Sequence, residues 1–410
     1  MATTRLLIFA ITYLLIAVQQ VPGMRLNRPA ASLLGAVAMV AIGGLPLRDA
    51  YAAVDMDVIV FLLGVLLLTG YLELGCFFEW AAERVVERMR SARTLLAAVV
   101  FVSGILSAFF INDTICLVLT PLVLAVIRPL GLAPLPFLLA IALGSNVGSA
   151  MAITGNPQNM LVGVTSGIGY ADFLAAMALP SLGGLAIVHA VLARVHRADL
   201  RAPLAVGQPL PPVALDRPLV AKALTVFAGA LAGWLAGVSL PLVAITAGAV
   251  MVAVAARDPA EAFAKVEWSL LLFFGAIFVV MRGVQDLALV QTFTDRAADQ
   301  LSGAPWRDAW VTTGALVALS NLVSNVPAVV LWLPVVPRLP HAEFVWLVIA
   351  LSSTFAGNLT LLGSMANLIV AERAAARGVS LRFGDYLRVG VPVTLLTLLW
   401  GVSALVLLRG

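Results

Sequence analysis

Residues 109–121 read FFINDTICLVLTP. They place an amide, a carboxyl group and a hydroxyl group, those of Asn112, Asp113 and Thr114, between apolar runs that are typical of a membrane. Backbone that is freed from a helix at membrane depth must be buried in protein or line a cavity. The stretch therefore predicts a break in the chain within a membrane domain.

The composition indicates a protein whose surface is largely covered by lipid. Of its 410 residues, 62% are hydrophobic and 11% are charged, whereas about a quarter of the residues of a soluble protein are charged. Long apolar runs predict membrane helices, so the predicted fold class is all-α and polytopic. The net charge of +4 is attributed to arginines in cytoplasmic loops, and no nucleic-acid partner is predicted.

Two kinds of apolar segment follow one another along the chain. Uninterrupted segments predict single spans at roughly 6–22, 30–46, 58–75, 173–193, 219–237, 241–256, 268–286 and 389–409. Others are broken by Asn, Gly, Ser or Pro, at 94–128, 135–168, 309–337 and 344–370. The first run has one arginine before it and no convincing cleavage site, so it is interpreted as a retained span rather than a secretory signal.

The second half of the chain repeats the polar pattern of the first. Ser107, Asn112 and Pro121 recur with the same spacing in the second half. Their counterparts are Ser320, Asn325 and Pro334. The stretch LGSNVGSAMAITGNPQN from Leu143 aligns without gaps on LSSTFAGNLTLLGSMAN from Leu351. Polar residues that keep register over such distances predict an internal duplication.

The duplication divides the chain into 1–193, a connector at 194–218, and 219–410. Each repeat is predicted to have five transmembrane helices plus one re-entrant hairpin, and the odd number of crossings inverts the second repeat. The hairpin at 94–128 then enters from the cytoplasm and that at 309–337 from outside. The broken helices are those at 135–168 and 344–370.

Basic residues set the predicted orientation in a cell inner membrane. Arginines and a lysine concentrate in segments that this topology places on one side, which the positive-inside rule makes cytoplasmic. They include Arg25, Arg28, Arg84, Arg88, Arg90, Arg93, Arg194, Arg197, Arg201, Arg217, Lys222, Arg373, Arg377, Arg382 and Arg388. The loop at 47–57 is acidic and is predicted to lie outside, as are both termini.

Segments 77–93 and 287–301 are too charged to span the membrane and predict amphipathic helices at its two faces. They either link a fixed scaffold to a moving domain or are plain surface helices.

The polar clusters supply the candidate binding residues for a solute or an ion. Hairpin tips and helix breaks aim backbone N–H and C=O groups at one place, where amides and hydroxyls add donors and acceptors. The candidates are Asn112, Asp113, Thr114, Gly155, Asn156, Asn159, Ser324, Asn325, Gly363, Ser364 and Asn367. The alternative for any one of them is a helix cap or a contact between helices.

Asp113 is the candidate proton carrier, because an ionisable group at membrane depth is costly and is by default a functional hypothesis. Val326 stands at its place in the second half, so the repeat does not require an acid there. The alternative is a carboxylate that caps a helix. Arg282 and Asp286 are interpreted as an ion pair, and Cys116 as a packing residue.

No catalytic motif, cofactor motif or metal cluster is found in the sequence. Walker A, HExxH and GxSxG patterns are absent, and the two cysteines are far apart and inside apolar segments. The chain is therefore predicted not to be an enzyme and to need no cofactor. A partner ATPase and the oligomeric state cannot be inferred from the sequence.

On these motifs the chain resembles the ion transporter superfamily, above all its arsenite permease and NhaD-like branch, which is related to the divalent anion/sodium symporters. The resemblance covers nearly the whole chain and rests on INDTICLVLTP, GSNVGSAMAITGNPQN, SNVPAVVLWLP and SSTFAGNLTLLGSMAN. It implies a scaffold domain and a transport domain that work by an elevator mechanism. The site would then lie between two hairpin tips and two unwound helices.

The expected substrate follows from where the chain departs from the carboxylate branch, which usually has Ser-Asn-Thr at both tips. Asp113 would repel a dicarboxylate, and no Lys or Arg is expected near either tip. We therefore expect export of arsenite or antimonite, neutral trihydroxides, driven by protons that compete at Asp113. The alternatives are a sodium-coupled transporter of carboxylate-like anions, a sodium/proton antiporter, and a membrane receptor or enzyme that transports nothing.

Overall fold

The computed structural model describes residues 1–18, 26–86, 89–201, 213–301 and 303–410. The predicted cytoplasmic residues Arg25 and Arg88 and residues 202–212 of the predicted connector lie outside these ranges. The described residues contain helices and no strand, which confirms the predicted all-α class. Six of the helices are long and apolar enough to cross a membrane, and the chain is treated below as a polytopic membrane protein.

The described part of the first half contains ten α-helices. They are α1 Ala2–Val18, α2 Arg28–Ala41, α3 Leu47–Ala52, α4 Met56–Leu74, α5 Phe77–Val86, α6 Ala92–Phe109, α7 Asn112–Ile127, α8 Leu135–Ser149, α9 Pro157–Ser166 and α10 Tyr170–Val195.

The described part of the second half contains ten more, in a similar order. They are α11 Arg217–Leu235, α12 Leu240–Val254, α13 Pro259–Phe263, α14 Trp268–Gln285, α15 Ala288–Gln300, α16 Pro305–Val323, α17 Asn325–Val330, α18 Ala342–Ala356, α19 Met365–Ala375 and α20 Phe383–Arg409. The starts of α2 and α12, and those of α4 and α14, are 212 positions apart.

Local chemistry explains where several helices begin. A proline in the first turn, where its missing N–H is not needed, opens α2, α9, α11 and α12. Asn27 caps α2 by accepting a hydrogen bond from Ala30 N at 3.0 Å, and Asp55 caps α4 through Val58 N at 3.1 Å. Such side-chain caps satisfy N–H groups that have no partner within the helix.

The four segments expected to be broken are helix–break–helix units. Two are hairpins, α6–α7 and α16–α17, whose tips run over residues 110–113 and 324–326. The other two, α8–α9 and α18–α19, are interrupted by 3₁₀ turns at Ile153–Gly155 and Leu361–Gly363. Ala152 and Thr360, which precede these turns, share the same backbone angles, φ −130° and ψ 159°. The second hairpin is shorter than expected, because α17 ends at Val330.

The helices form two packing groups that each contain elements of both halves. In the first group α2 packs against α14, and α12 against α4, with α1 and α11 alongside. In the second group α6 packs on α8, α16 on α18, α7 on α19, and α10 on α20. The described parts of the two groups also meet each other, for example where α9 packs on α4 and α17 on α14.

The amphipathic helix α5 packs against α4 and α7. Phe77 and Phe78 of α5 meet Phe110 at the first hairpin tip, with ring centroids 6.3 Å and 5.3 Å away. Its predicted counterpart, α15, is joined to the end of the second hairpin by an ion pair of 2.6 Å between Asp295 and Arg338.

Candidate functional site

A polar cavity of about 110 Å³ lies where the two packing groups meet. Room for one water molecule corresponds to roughly 10–15 Å³ on this measure, so the cavity suits a small solute. It is lined by both hairpin tips, by the starts of α9 and α19, and by the starts of α2 and α14. Its polar lining residues are Arg28, Asn112, Asp113, Gln158, Glu267, Ser269, Ser324, Asn325 and Ser364.

Helix N-termini converge on this cavity. The first-turn residues of α2, α7, α9, α14 and α19 all line it, together with the first residues of the short helix α17. An N-terminus carries roughly half a positive elementary charge and unpaired N–H donors. The cavity therefore favours oxygen atoms, whether those of its own carboxylates or those of a ligand.

Three charged side chains line the same cavity, and each lies at the start of a different helix. Asp113 lies in the first turn of α7, Arg28 is the first residue of α2, and Glu267 immediately precedes α14. Arg28 is 8% exposed, and its guanidinium also donates to the Leu362 carbonyl at 3.4 Å. The expectation that no cation lies near the tips is wrong, because α2 begins beside the cavity and not in a surface loop.

Asn146, in the last turn of α8, joins the first hairpin to the second broken helix. Its Oδ1 accepts hydrogen bonds from Asn112 Nδ2 and Ser364 Oγ, both at 3.0 Å. Its Nδ2 donates to Asn358 Oδ1 at 2.9 Å and to Asn367 Oδ1 at 3.1 Å. The amide has two donors and two acceptor sites, so all of its capacity is used to hold these segments together.

Thr354 follows Asn146 by 208 positions and has a related role in the second half. Its Oγ1 accepts from Asn156 Nδ2 at 3.3 Å and from Gln158 Nε2 at 3.2 Å. Asn156 also caps α9, since its Oδ1 accepts from Asn159 N at 2.8 Å. Each broken helix is thus anchored to the polar end of the other.

Asn159 and Asn367 fasten the two breaks from within. Asn159 Nδ2 donates to the carbonyls of Ser149 at 3.1 Å and Ala152 at 3.0 Å. Asn367 Nδ2 donates to the carbonyls of Gly357 at 2.9 Å and Thr360 at 3.2 Å, which are the same positions in the second repeat unit. Carbonyls that have left a helix need such partners when they are buried.

Gly155 and Gly363 permit the close approach of backbone inside the breaks. A Cβ atom on Gly155 would lie 2.1 Å from the Ser149 carbonyl oxygen. One on Gly363 would lie 2.7 Å from Asn321 Oδ1 and 2.9 Å from the Gly357 oxygen. Real Cβ atoms do not approach so closely, so both positions need glycine in this structure.

The second tip combines strain with an unused acceptor. Ser324 has φ 80° and ψ 161°, in the region that is essentially confined to glycine and costs other residues about 1–3 kcal/mol. Among the described residues, Asn325 Oδ1 has no hydrogen-bond partner although the side chain is only 7% exposed. An acceptor left unpaired beside a cavity is available to a bound donor.

The predicted site residues thus occupy two layers. Five of them line the cavity, namely Asn112, Asp113, Ser324, Asn325 and Ser364. The other six lie behind it and include those that shape the breaks, namely Thr114, Gly155, Asn156, Asn159, Gly363 and Asn367. The sequence prediction left out the lining residues Arg28, Gln158, Glu267 and Ser269 and the anchoring residue Asn146.

A signal for one of these was present in the repeat. Glu267 follows Asp55 by 212 positions, so an acid precedes the equivalent helix in each half. Arg28 gave no such signal, since Leu240 stands at its place in the second half.

Two other polar contacts have the structural roles that were expected. Arg282 pairs with Asp286 at 2.9 Å. Cys116 Sγ lies 2.9 Å from Ser145 Oγ inside the packing of α7 on α8. Among the described residues no group of three His, Cys, Asp or Glu side chains could hold a metal ion.

Comparisons with known proteins give relatives along almost the whole chain. A protein-family model described as "CitMHS: Citrate transporter" matches residues 13–352. The silicon efflux transporter LSI3 of Oryza sativa subsp. japonica is 29% identical, over 96% of this chain and 95% of that protein. The "Putative transporter arsB" of Dictyostelium discoideum is 23% identical, over 93% of this chain and 88% of that protein.

Among solved structures, the YdaH transporter of Alcanivorax borkumensis has a similar fold. The TM-score is 0.59 at 17% sequence identity, and the match covers 99% of this chain and 96% of that one.

Proposed function

Since the chain belongs to the CitMHS citrate transporter family, within the ion transporter superfamily, we propose that it exports a small neutral hydroxide of the arsenite and antimonite kind in exchange for protons. The family is one of transporters.

The observation that carries the proposal is the mixed chemistry of the cavity lining. Amide and backbone N–H groups and Arg28 donate hydrogen bonds, whereas the carboxylates of Asp113 and Glu267 and the unpaired Asn325 Oδ1 accept them. A neutral hydroxide can both accept and donate through each of its oxygens. A fully ionised carboxylate can only accept, and it would face two other carboxylates in a cavity of about 110 Å³.

Two relatives fit this class of solute. One is named as a silicon efflux transporter and another carries arsB in its name. Silicic acid and arsenous acid are both small neutral hydroxides near pH 7, so one site chemistry could serve either.

A second candidate is a sodium-coupled transporter of a carboxylate-like anion. Arg28 and the converging helix N-termini favour it, because both attract negative charge, and the family description names citrate.

For the mechanism we propose an elevator movement between the two packing groups. The group with α2, α4, α12 and α14 would be the scaffold, and the group with the hairpins would carry the solute. The two halves, 1–193 and 219–410, would be inverted repeats joined by the cytoplasmic connector at 194–218, in a cell inner membrane with both termini outside. A proton on Asp113 and the solute would compete for the cavity, so that an inward proton gradient drives export.

Solute flux into everted membrane vesicles tests this function. We expect arsenite to accumulate when an acid-inside gradient is imposed, and expect a protonophore to abolish the accumulation. Uptake of citrate that requires sodium, with no arsenite flux, would instead establish the second candidate. Vesicles from cells that lack the protein serve as the control for leakage.

A further inference from the structure

A second cavity, of about 240 Å³, lies at the far end of α9. The start of α4 contributes Asp57 to its lining, and the start of α12 contributes Leu240, preceded by Ser239. From the other packing group, α9 contributes Gly163 and the start of α10 contributes Tyr170, among others. Like the solute cavity, it lies between the two packing groups.

The two cavities use equivalent positions of the scaffold group. Asp57 precedes Ser269 by 212 positions, and Leu240 follows Arg28 by 212 positions. Pro29 lines the first cavity and Pro241 lines the second, at the same spacing. Each cavity lies where the two helices of a packed pair begin side by side. The pair is α2 with α14 at the first cavity and α4 with α12 at the second.

The distance between the cavities follows from α9, which reaches both. Its first residues, Pro157 and Gln158, line the solute cavity, and Gly163 and Val164 line the second. At 1.5 Å per residue, six residues of helix correspond to roughly 9 Å. A displacement of about that length along α9 would carry the hairpin tips from the starts of α2 and α14 to the starts of α4 and α12.

We propose that Asp57, Ser239 and Leu240 form a second station of the transport site, which receives the hairpin tips when the solute faces the opposite side of the membrane. The proposal rests on the proposed movement between the two groups. These three residues would complete the transport site in its second position. Their charges differ from those of Arg28 and Glu267 at the first station.

The charges at the second station favour protonation of Asp113 more strongly than those at the first. At the first station the scaffold contributes one cation, Arg28, and one carboxylate, Glu267. At the second station a leucine replaces the arginine, and Asp57 lies close to Asp55. An ionised carboxylate is favoured by a nearby cation and disfavoured by other carboxylates. A proton would thus be taken up at the second station and released at the first.

Cross-linking tests the second station without reference to solute or proton. In a background with Cys76 and Cys116 replaced by Ala, Gln158→Cys is combined with Ser269→Cys for the first station or with Ser239→Cys for the second. Copper phenanthroline, which oxidises only thiols that meet directly, is added to membranes, and a protease site in the 194–218 connector separates the two fragments. A cross-linked pair then stays joined on a denaturing gel.

We expect cross-links in both pairs, and none with Gln158→Cys paired with Thr225→Cys on exposed α11. Cross-linking at the first station alone, or at neither when single thiols are shown to react, would overturn the proposal. Met365→Cys, combined with the same two partners and read by mass spectrometry, covers the case in which Gln158→Cys does not fold. Because no flux is measured, this result stands apart from that of the vesicle experiment.

Leu240→Arg tests the charge difference in active protein. It gives the second station the cation of the first, so we expect the stimulation of transport by a proton gradient to fall several-fold. Equal amounts of Leu240→Arg and of the unmodified protein in the membrane exclude simple misfolding. Thr292→Arg, which adds the same charge on the exposed surface of α15, should keep the stimulation. An unchanged stimulation in Leu240→Arg would overturn the role of the charge difference.

Discussion

Ser324 carries a backbone conformation that a side chain makes costly. Its φ of 80° and ψ of 161° place it at the tip of the second hairpin, directly beside the polar cavity. Strain of this kind persists only where the surrounding structure enforces it, and it is often found at functional sites. Contacts with the surrounding structure therefore hold Ser324 in a backbone conformation that serine itself disfavours.

We expect Ser324→Gly to stabilise the protein by about 1 kcal/mol or more, because glycine adopts this conformation freely. The melting temperature in detergent should rise. Ser320→Gly, four residues earlier within α16, should lower it, since glycine costs about 1 kcal/mol inside a helix. A fall in melting temperature for both variants would show that the tip is not strained.

Asp113 is the residue on which the coupling depends in the proposed function. Asp113→Asn keeps the shape of the side chain but cannot ionise, so we expect proton-driven arsenite flux to be lost while the protein still accumulates in the membrane. Asp286→Asn, which breaks an exposed ion pair with Arg282, should retain the flux. Proton-driven flux at the normal rate in Asp113→Asn would assign the proton to another group, and Glu267 in the same cavity is the candidate.

At the scale of elements, the packing of α6 on α8 depends on two glycines that face one another. A Cβ atom on Gly148 would lie 2.2 Å from the Cα atom of Gly104. Small residues let membrane helices approach closely, and van der Waals contact then replaces the hydrophobic effect as the source of stability.

Gly148→Ala should therefore force α6 and α8 apart and destabilise the fold by about 1–3 kcal/mol, the range for overpacked sites. Gly229→Ala, in α11, is the matched control, because nothing lies within 4 Å of the Cβ atom that it adds. Melting temperatures of both variants in the same detergent give the comparison. Equal temperatures would contradict the close packing.

The positions of the helix breaks could be predicted from the sequence, whereas the charged residues contributed by α2 and by the residue before α14 could not. The breaks could be located because polar clusters interrupt long apolar runs, and the cost of unpaired backbone in lipid leaves few alternatives. Arg28 and Glu267 could not be placed, because residues next to a span are indistinguishable from loop residues until the helices are packed. The structural roles of Asn159 and Asn367 could not be predicted either. The sequence does not distinguish an asparagine that binds backbone carbonyls from one that binds a solute.

At the scale of the molecule, each half needs the other in order to bury its own helices. The helix pairs α2–α14, α4–α12 and α10–α20 all cross between the halves. The hydrogen bonds from Asn146 to Asn358 and Asn367 do so as well.

We therefore expect residues 1–205 expressed alone to be degraded, and expect co-expression with residues 206–410 to restore both fragments to the membrane. Immunoblots of membranes from single and double transformants give the readout. Stable accumulation of either fragment alone would show that a half is an independent folding unit.

Asn146 also sets an order in time for the making of the protein. Its partner Asn358 is synthesised 212 residues later, which takes roughly 10–40 s at about 5–20 residues per second. During that interval the Asn146 amide of the first broken helix lacks the partners that the second half supplies in the finished fold. The nascent first half is consequently a client for any membrane chaperone that shields polar groups, and slow translation of the second half should lengthen that dependence.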